Sequence, residues 1–65
     1  MAEKIGKARC WGTITEIMED TVIESCTLGY KQVYKCQVKP WHRVGKRVTF
    51  FAGKDWTAVA VREFP

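Results

Sequence analysis

Residues 44–64, VGKRVTFFAGKDWTAVAVREF, decide the fold class, because two runs of strand character flank a Gly-Lys-Asp turn. Val48 and Phe50 alternate with other residues in the first run, and Val59 and Val61 alternate with alanines in the second. A period of two residues is typical of strands that bury one face. The segment therefore predicts a hairpin with strands over about 46–52 and 56–64.

The upstream sequence continues the same pattern, and no window carries a helical stripe of apolar residues. It predicts three more strands, over about 7–17, 21–28 and 31–38. Pro40 cannot donate to a strand ladder, so the third strand ends before it and residues 40–45 form a connector. Short strands at intervals of about 8–12 residues predict an all-β chain folded as a small five-stranded antiparallel barrel.

Length and cysteine usage limit the architecture and the location of the protein. A chain of 65 residues forms a single domain with one small core. The N-terminal residues lack the apolar segment of a secretory signal, so we expect a cytoplasmic protein with Cys10, Cys26 and Cys36 as free thiols. Zinc held by these thiols and His42 is the alternative. Because no C-x-x-C turn is present, we expect no metal and no cofactor.

The sequence carries little that indicates catalysis. His42 is the single histidine, and its nearest acid downstream in sequence is Asp55. The sequence has no Ser-His-Asp order and no phosphate-binding glycine loop. The catalytic arrangement that stays open is a nucleophilic cysteine paired with His42. We interpret the chain as a protein that is not an enzyme.

A long acid-free stretch carries the strongest functional signal. Between Glu24 and Asp55 the chain has no acidic residue, but it has seven lysines or arginines and several aromatic rings. Cations attract phosphates, and flat rings stack on bases. The stretch therefore predicts a surface that binds single-stranded DNA or RNA. The candidate contact residues, including two that precede the stretch and one that follows it, are Arg9, Trp11, Tyr30, Lys31, Tyr34, Lys35, Trp41, Arg43, Lys46, Arg47, Phe51, Lys54 and Trp56.

The aromatic residues divide by strand face. Alternation places Phe50 in the core and Phe51 outside, unless the strand carries a bulge. Trp11 lies opposite the face of Cys10 and Ile14, so it is expected to be a surface ring. Trp41 and Trp56, in or beside loops, either plug a barrel end or stack on bases.

The basic residues are expected to border one groove. On the third strand, Lys31, Val33 and Lys35 alternate with Gln32, Tyr34 and Cys36. A second basic group flanks the start of the fourth strand, and Arg9 extends the groove across the first. The second group is Arg43, Lys46 and Arg47.

Two segments resemble known barrel families. GTITEI at 12–17 followed by DTVIES at 20–25 resembles the opening hairpin of an S1-type or initiation-factor-like domain, and residues 44–64 resemble the last hairpin of a cold-shock domain. The resemblance implies an OB-fold that binds single-stranded nucleic acid. Where cold-shock domains have a Lys-Gly-x-Gly-Phe motif on the second strand, this chain has DTVIES. Where they have a Val-Phe-Val-His motif on the third strand, it has KQVYKC. That family's ring platform is therefore absent from the second strand, and Tyr34 and Tyr30 are its substitutes on the third.

An SH3-like barrel is the alternative fold, with a protein-interaction function. Such a module would grip an acidic or proline-rich peptide in an aromatic groove, or block the nucleic-acid site of a larger protein. Either module could act as a monomer or a homodimer. The salt dependence of the binding affinity distinguishes the two functions. A polyphosphate releases many counterions when it binds, so its affinity falls steeply with salt, whereas a peptide with apolar anchors does not release them.

Overall fold

The structure, a computed structural model that describes residues 9–64, is all-β and has five strands. The number of strands is confirmed, although several are shorter than expected, and positions 7 and 8 of the expected first strand lie outside the described residues. A short 3₁₀ turn, Lys54–Trp56, joins the last two strands. The strands are β1 Cys10–Ile17, β2 Thr21–Ser25, β3 Gln32–Cys36, β4 Arg47–Ala52 and β5 Ala58–Glu63.

The strands form one curled antiparallel sheet in the order β3-β2-β1-β4-β5. β4 returns to pair with β1 rather than with β3, which is Greek-key topology. The two outer strands approach each other at a single parallel bridge between Lys35 and Thr57. The sheet is therefore a partly open small barrel, which is compatible with an OB-like barrel.

All five strands contribute to one core, as their alternation predicts. Phe50 is fully buried, and Gln32 and Tyr34 point inward while Val33 and Lys35 are exposed. On β2, where both faces carry apolar residues, the inward positions begin at Thr21. The buried apolar residues are Ile14, Ile23, Tyr34, Val48, Phe50 and Ala58.

Gly12 allows β1 and β2 to approach closely at the centre of the sheet. A Cβ atom at this position would lie 2.5 Å from the main-chain oxygen of Glu24 and 2.8 Å from Cγ2 of Ile23. Both distances are too short for real atoms, and the oxygen is part of the β1–β2 ladder. The glycine at position 12 therefore permits a close contact between the main chains of β1 and β2.

Replacing Gly12 should therefore strain the sheet. We expect Gly12→Ala to lower the free energy of unfolding by about 1–3 kcal/mol, the usual cost of overpacking. Urea denaturation measures the change. Thr15→Val, at an exposed position of the same strand, is the control and should change stability by less than about 0.5 kcal/mol. Equal stability of Gly12→Ala and the wild type would contradict the close approach.

The connector between β3 and β4 closes one end of the barrel with a buried histidine. Two tight turns form it, with the main-chain N–H of His42 donating to the oxygen of Lys39 (3.0 Å) and that of Lys46 donating to Arg43 (3.0 Å). Nδ1 of His42 lies 2.7 Å from Oγ1 of Thr21 and accepts from the main-chain N–H of Lys39 at 3.3 Å. The neutral ring therefore carries its proton on Nε2.

Burial gives this histidine a pH-dependent effect on stability. Burial, and then the charge of Lys39, lowers the pKa of His42 below its ordinary value of about 6.5. The unfolded chain then binds the proton more readily than the folded one. The stabilising contribution of the neutral ring is fully present above about pH 6.5 and is lost as the pH falls below it toward the folded pKa.

Unfolding measured from about pH 5 to 8 tests this linkage. The free energy of unfolding of the wild type should rise with pH across this range more steeply than that of His42→Gln. Carboxylates titrate in both proteins, so the difference between the two curves isolates His42. Parallel curves would show that the histidine does not titrate differently in the folded and unfolded chains.

Candidate nucleic-acid interface

The outer side of β1, β4 and β5 gathers three arginines and two rings that are far apart in sequence. Trp11 pairs with Thr49, and Thr49 pairs with Arg62, so the three side chains form one row across the sheet. Thr13 pairs with Arg47 in the next row. We call this surface the arginine face, which comprises Arg9, Trp11, Thr13, Arg47, Thr49, Phe51 and Arg62.

Trp11 presents the exposed ring of the arginine face on a fixed backbone. Its side chain is 45% exposed. Its main-chain N–H donates to Oγ1 of Thr27 at 3.1 Å, and its carbonyl accepts from the hydroxyl of Ser25 at 2.6 Å. These bonds hold the Trp11 backbone, from which the indole projects, beside β2. The expectation that Trp11 is a surface ring is confirmed.

Arg9 lies on the same face but is held by the fold. Nε donates to Oγ1 of Thr49 at 3.1 Å, and Nη2 donates to the main-chain oxygens of Thr49 and Ala60. The guanidinium carbon lies 4.6 Å from the centre of the Phe51 ring. Within residues 9–64, Nη1 is the guanidinium nitrogen of Arg9 that makes no hydrogen bond. The predicted phosphate contact at Arg9 is therefore mainly a structural clamp.

The clamp of Arg9 closes a bulge in β5. Two residues of β5, Ala60 and Val61, stand opposite Phe50 of β4, because the register shifts between Thr49 and Phe51. Ala60 has a φ of 54°, a left-handed conformation that a residue with a Cβ rarely adopts. The Arg9 guanidinium donates a hydrogen bond to the main-chain oxygen of Ala60 in this bulge.

Charge separates the arginine face from the rest of the surface. No ion pair is formed by Arg47 or Arg62 with any residue in the 9–64 range. Two acids border the face, and each is paired with a lysine. Glu24 pairs opposite Thr13 and lies 3.8 Å from the Lys31 ammonium, and Glu63, next to Arg62, lies 2.6 Å from the Lys46 ammonium. Three other acids surround the β1–β2 turn and line a depression there with Lys35, namely Glu16, Glu19 and Asp20. The face therefore has a local excess of positive charge.

Tyr34 corrects the predicted set of surface rings. Its side chain is only 4% exposed, and its hydroxyl donates to Oε1 of Gln32 at 2.8 Å. Its ring packs against Phe50 on one side and against Trp56 on the other, with centroid distances of 4.9 and 5.4 Å. Tyr34 is a core residue because it belongs to the inward set of β3. Its ring has no free face for a base.

Three other predicted rings lie on the turns and the connector rather than on the paired strands of the arginine face. Trp56, with Lys54 in the β4–β5 turn, is 56% exposed and covers Tyr34. Tyr30 is 59% exposed in the β2–β3 loop. Trp41 is half-buried against the core and meets the ring of His42 edge to face. None of these three rings belongs to the row of Trp11, Thr49 and Arg62.

The basic residues that the sequence predicts along one groove lie on several different elements of the fold. β2 and β1 lie between β3, which carries Lys35, and β4, which begins at Arg47. Lys31 is paired with Glu24, and the Lys46 ammonium lies 2.6 Å from the Glu63 carboxylate. Arg43 is exposed on the connector. The sheet order, which the sequence alone did not supply, distributes these cations over separate surfaces.

Sequence reasoning missed Arg62, although it completes the row through Trp11. Arg62 lies beyond Asp55 and so outside the acid-free stretch that guided the prediction. Its place in the row follows from two pairings, β1 with β4 and β4 with β5. Strict alternation along β5 would have misplaced its side chain, because the bulge at Ala60 adds one residue.

The structure adds three findings on chemistry and location. Cys10, Cys26 and Cys36 are free thiols. Residues 9–64 bring no three His, Cys, Asp or Glu side chains into an arrangement that could hold a metal ion. The same residues form no helix that is long and apolar enough to cross a membrane.

Comparison with known proteins gave no relative from which a function could be transferred. No family model, no curated protein and no solved structure matched the chain.

The structural role of Arg9 can be separated from its charge. We expect Arg9→Lys to lower the free energy of unfolding by about 1–3 kcal/mol, because an ammonium cannot bridge two carbonyls and a hydroxyl and also lie flat on Phe51. Arg62→Lys, at an exposed position on the same face, is the control and should change stability by less than about 0.5 kcal/mol. Thermal and urea unfolding measure both. Equal effects of the two substitutions would contradict the clamp.

Proposed function

We propose that this chain is a non-catalytic module that binds single-stranded DNA or RNA through the arginine face. The observation that carries the proposal is the row of Trp11, Thr49 and Arg62, with Arg47 diagonal to Trp11. Sequence-tolerant binders of single strands combine cations that follow the backbone with rings on which bases stack. The arginine face offers both on a rigid sheet.

The chemistry of the face suits a nucleic-acid strand more than a small anion. Neighbouring strands lie about 4.8 Å apart, so Trp11 and Arg62 on either side of Thr49 are about 10 Å from one another. One base can lie on the indole while the phosphates beside it contact Arg47 and Arg62. A guanidinium binds phosphate in bidentate fashion and also stacks on a base.

The proposed interface differs from the usual OB-fold surface. OB-like barrels commonly bind oligonucleotides on the face of the second and third strands and on the β1–β2 and β4–β5 loops. In this chain the β1–β2 turn carries Glu19 and Asp20, and β2 carries Glu24. These acids would repel phosphates. The row of Trp11, Thr49 and Arg62 across β1, β4 and β5 contains no acidic residue.

A protein-interaction module is the second candidate, and one observation favours it. Leu28 and Tyr30 in the β2–β3 loop and Val33 on β3 are 64%, 59% and 43% exposed. Such side chains can anchor a peptide or a second protein. This surface lies outside the arginine face, so substitutions can distinguish the two candidates.

Salt-dependent binding of a fluorescent single strand of about 12 nucleotides, a length within the usual site sizes, tests the proposal. The logarithm of the affinity should fall linearly with the logarithm of the salt concentration between about 50 and 200 mM. Trp11→Ala should cost about 1–3 kcal/mol of binding free energy through lost stacking. Arg62→Gln should reduce the salt slope by about one unit through a lost phosphate contact.

Lys31→Gln is the matched control, because it removes one charge from the β2–β3 surface and should leave affinity and slope nearly unchanged. An effect of Lys31→Gln as large as that of Arg62→Gln would place the interface on the other surface. No binding of DNA or RNA at the lowest salt concentration would overturn the nucleic-acid function and favour a protein partner.

A further inference from the structure

A pocket of about 300 Å³ lies between the end of β3, the connector and the edge of β5. Trp41 and His42 form one wall, and their rings stand perpendicular with centroids 4.4 Å apart. Ala58 and Ala60 of β5 line the opposite side. The volume is at the lower limit for ligand pockets, so the space suits one planar ring system and not a longer segment.

Three residues that line the pocket carry N–H donors, namely Gln37, Lys39 and His42. Nε2 of His42 is buried and has no hydrogen-bond partner, and it is the one such side-chain atom in the 9–64 range. It carries the proton of the neutral ring, since Nδ1 accepts from Lys39. Lys39 and Gln37 also line the pocket, and no acidic residue does. A ligand that brings acceptor atoms would complement these groups.

The pocket adjoins the arginine face across one strand. Arg62 belongs to that face, and its neighbour Val61 lines the pocket on the other side of β5. β5 is an edge strand, bridged to β3 only near its start through Thr57. A nucleic-acid strand that crosses the arginine face toward β5 therefore reaches the mouth of this pocket.

We propose that the pocket receives a single nucleobase with carbonyl acceptors on its edge, such as uracil or thymine, from the strand bound on the arginine face. This inference rests on the proposed function. The base lies against Trp41, its carbonyl oxygens accept from His42 and Gln37, and the adjoining phosphate contacts the Lys39 ammonium. A site that bound only the phosphate would use the Lys39 charge and would need neither the Trp41 ring nor the unpartnered Nε2–H of His42.

Nuclear magnetic resonance of the whole chain at neutral pH tests the inference, because the three indole N–H signals report on different places. Trp11 reports on the arginine face, Trp41 on the pocket and Trp56 on the β4–β5 turn. Uridine 5′-monophosphate should shift the signals of Trp41 and His42 and leave that of Trp11 in place. A single-stranded oligothymidine should shift Trp11 and Trp41 together. Ribose 5-phosphate, which lacks the base, should leave Trp41 unchanged.

One variant and one matched control test whether the nucleotide binds in the pocket. Lys39→Gln should weaken uridine 5′-monophosphate binding several-fold, and Lys35→Gln, which removes a charge outside this pocket, should not. Neither side chain is buried, so both variants are expected to fold.

The outcomes separate the two proposals. An oligothymidine that shifts Trp11 but not Trp41 would overturn the base pocket and keep the nucleic-acid function. Ribose 5-phosphate that shifts Trp41 as strongly as the nucleotide would reduce the pocket to an anion site and overturn base recognition. If no oligonucleotide or nucleotide shifts any indole signal, both proposals are wrong.

Discussion

The close approach of β1 and β2 at Gly12 is the constraint on which the rest of the structure depends. β1 is the central strand, paired with β2 on one side and β4 on the other. Because Gly12 has no side chain, the main chain of Glu24 can lie where a Cβ would be. The sheet can then curl until β3 and β5 nearly meet, and the core residues of all five strands share one interior. The outer side of β1 and β4 becomes the convex surface that carries Trp11.

The arginine face shows how one residue type serves both the fold and the proposed ligand. Arg9 is bound to Thr49, Ala60 and Phe51, and Arg47 and Arg62 have no ion-pair partner in the 9–64 range. The clamped guanidinium fixes the β4–β5 bulge, and the bulge sets where Arg62 emerges. The positive charge of the surface therefore depends on a structural arginine as well as on exposed ones.

The sequence predicted the parts of the fold that depend on local alternation. The inward position of Phe50, the two faces of β3 and the surface position of Trp11 all follow from a period of two residues. The sequence did not predict what depends on pairing between distant segments. It did not show that β2 and β1 lie in the sheet between β3, which carries Lys35, and β4, which begins at Arg47. Arg62 was missed because its neighbour in space, Trp11, is far away along the chain.

The left-handed Ala60 has a further consequence for the solubility of the protein. Within residues 9–64, β3 and β5 are the edge strands of the sheet, and a flat exposed edge can recruit a strand from another molecule. The bulge at Ala60 breaks the regular spacing of N–H and C=O groups along β5, and Arg9 occupies one of its carbonyls. The same strain that costs the folded chain about 1–3 kcal/mol makes this edge a poor template for intermolecular pairing.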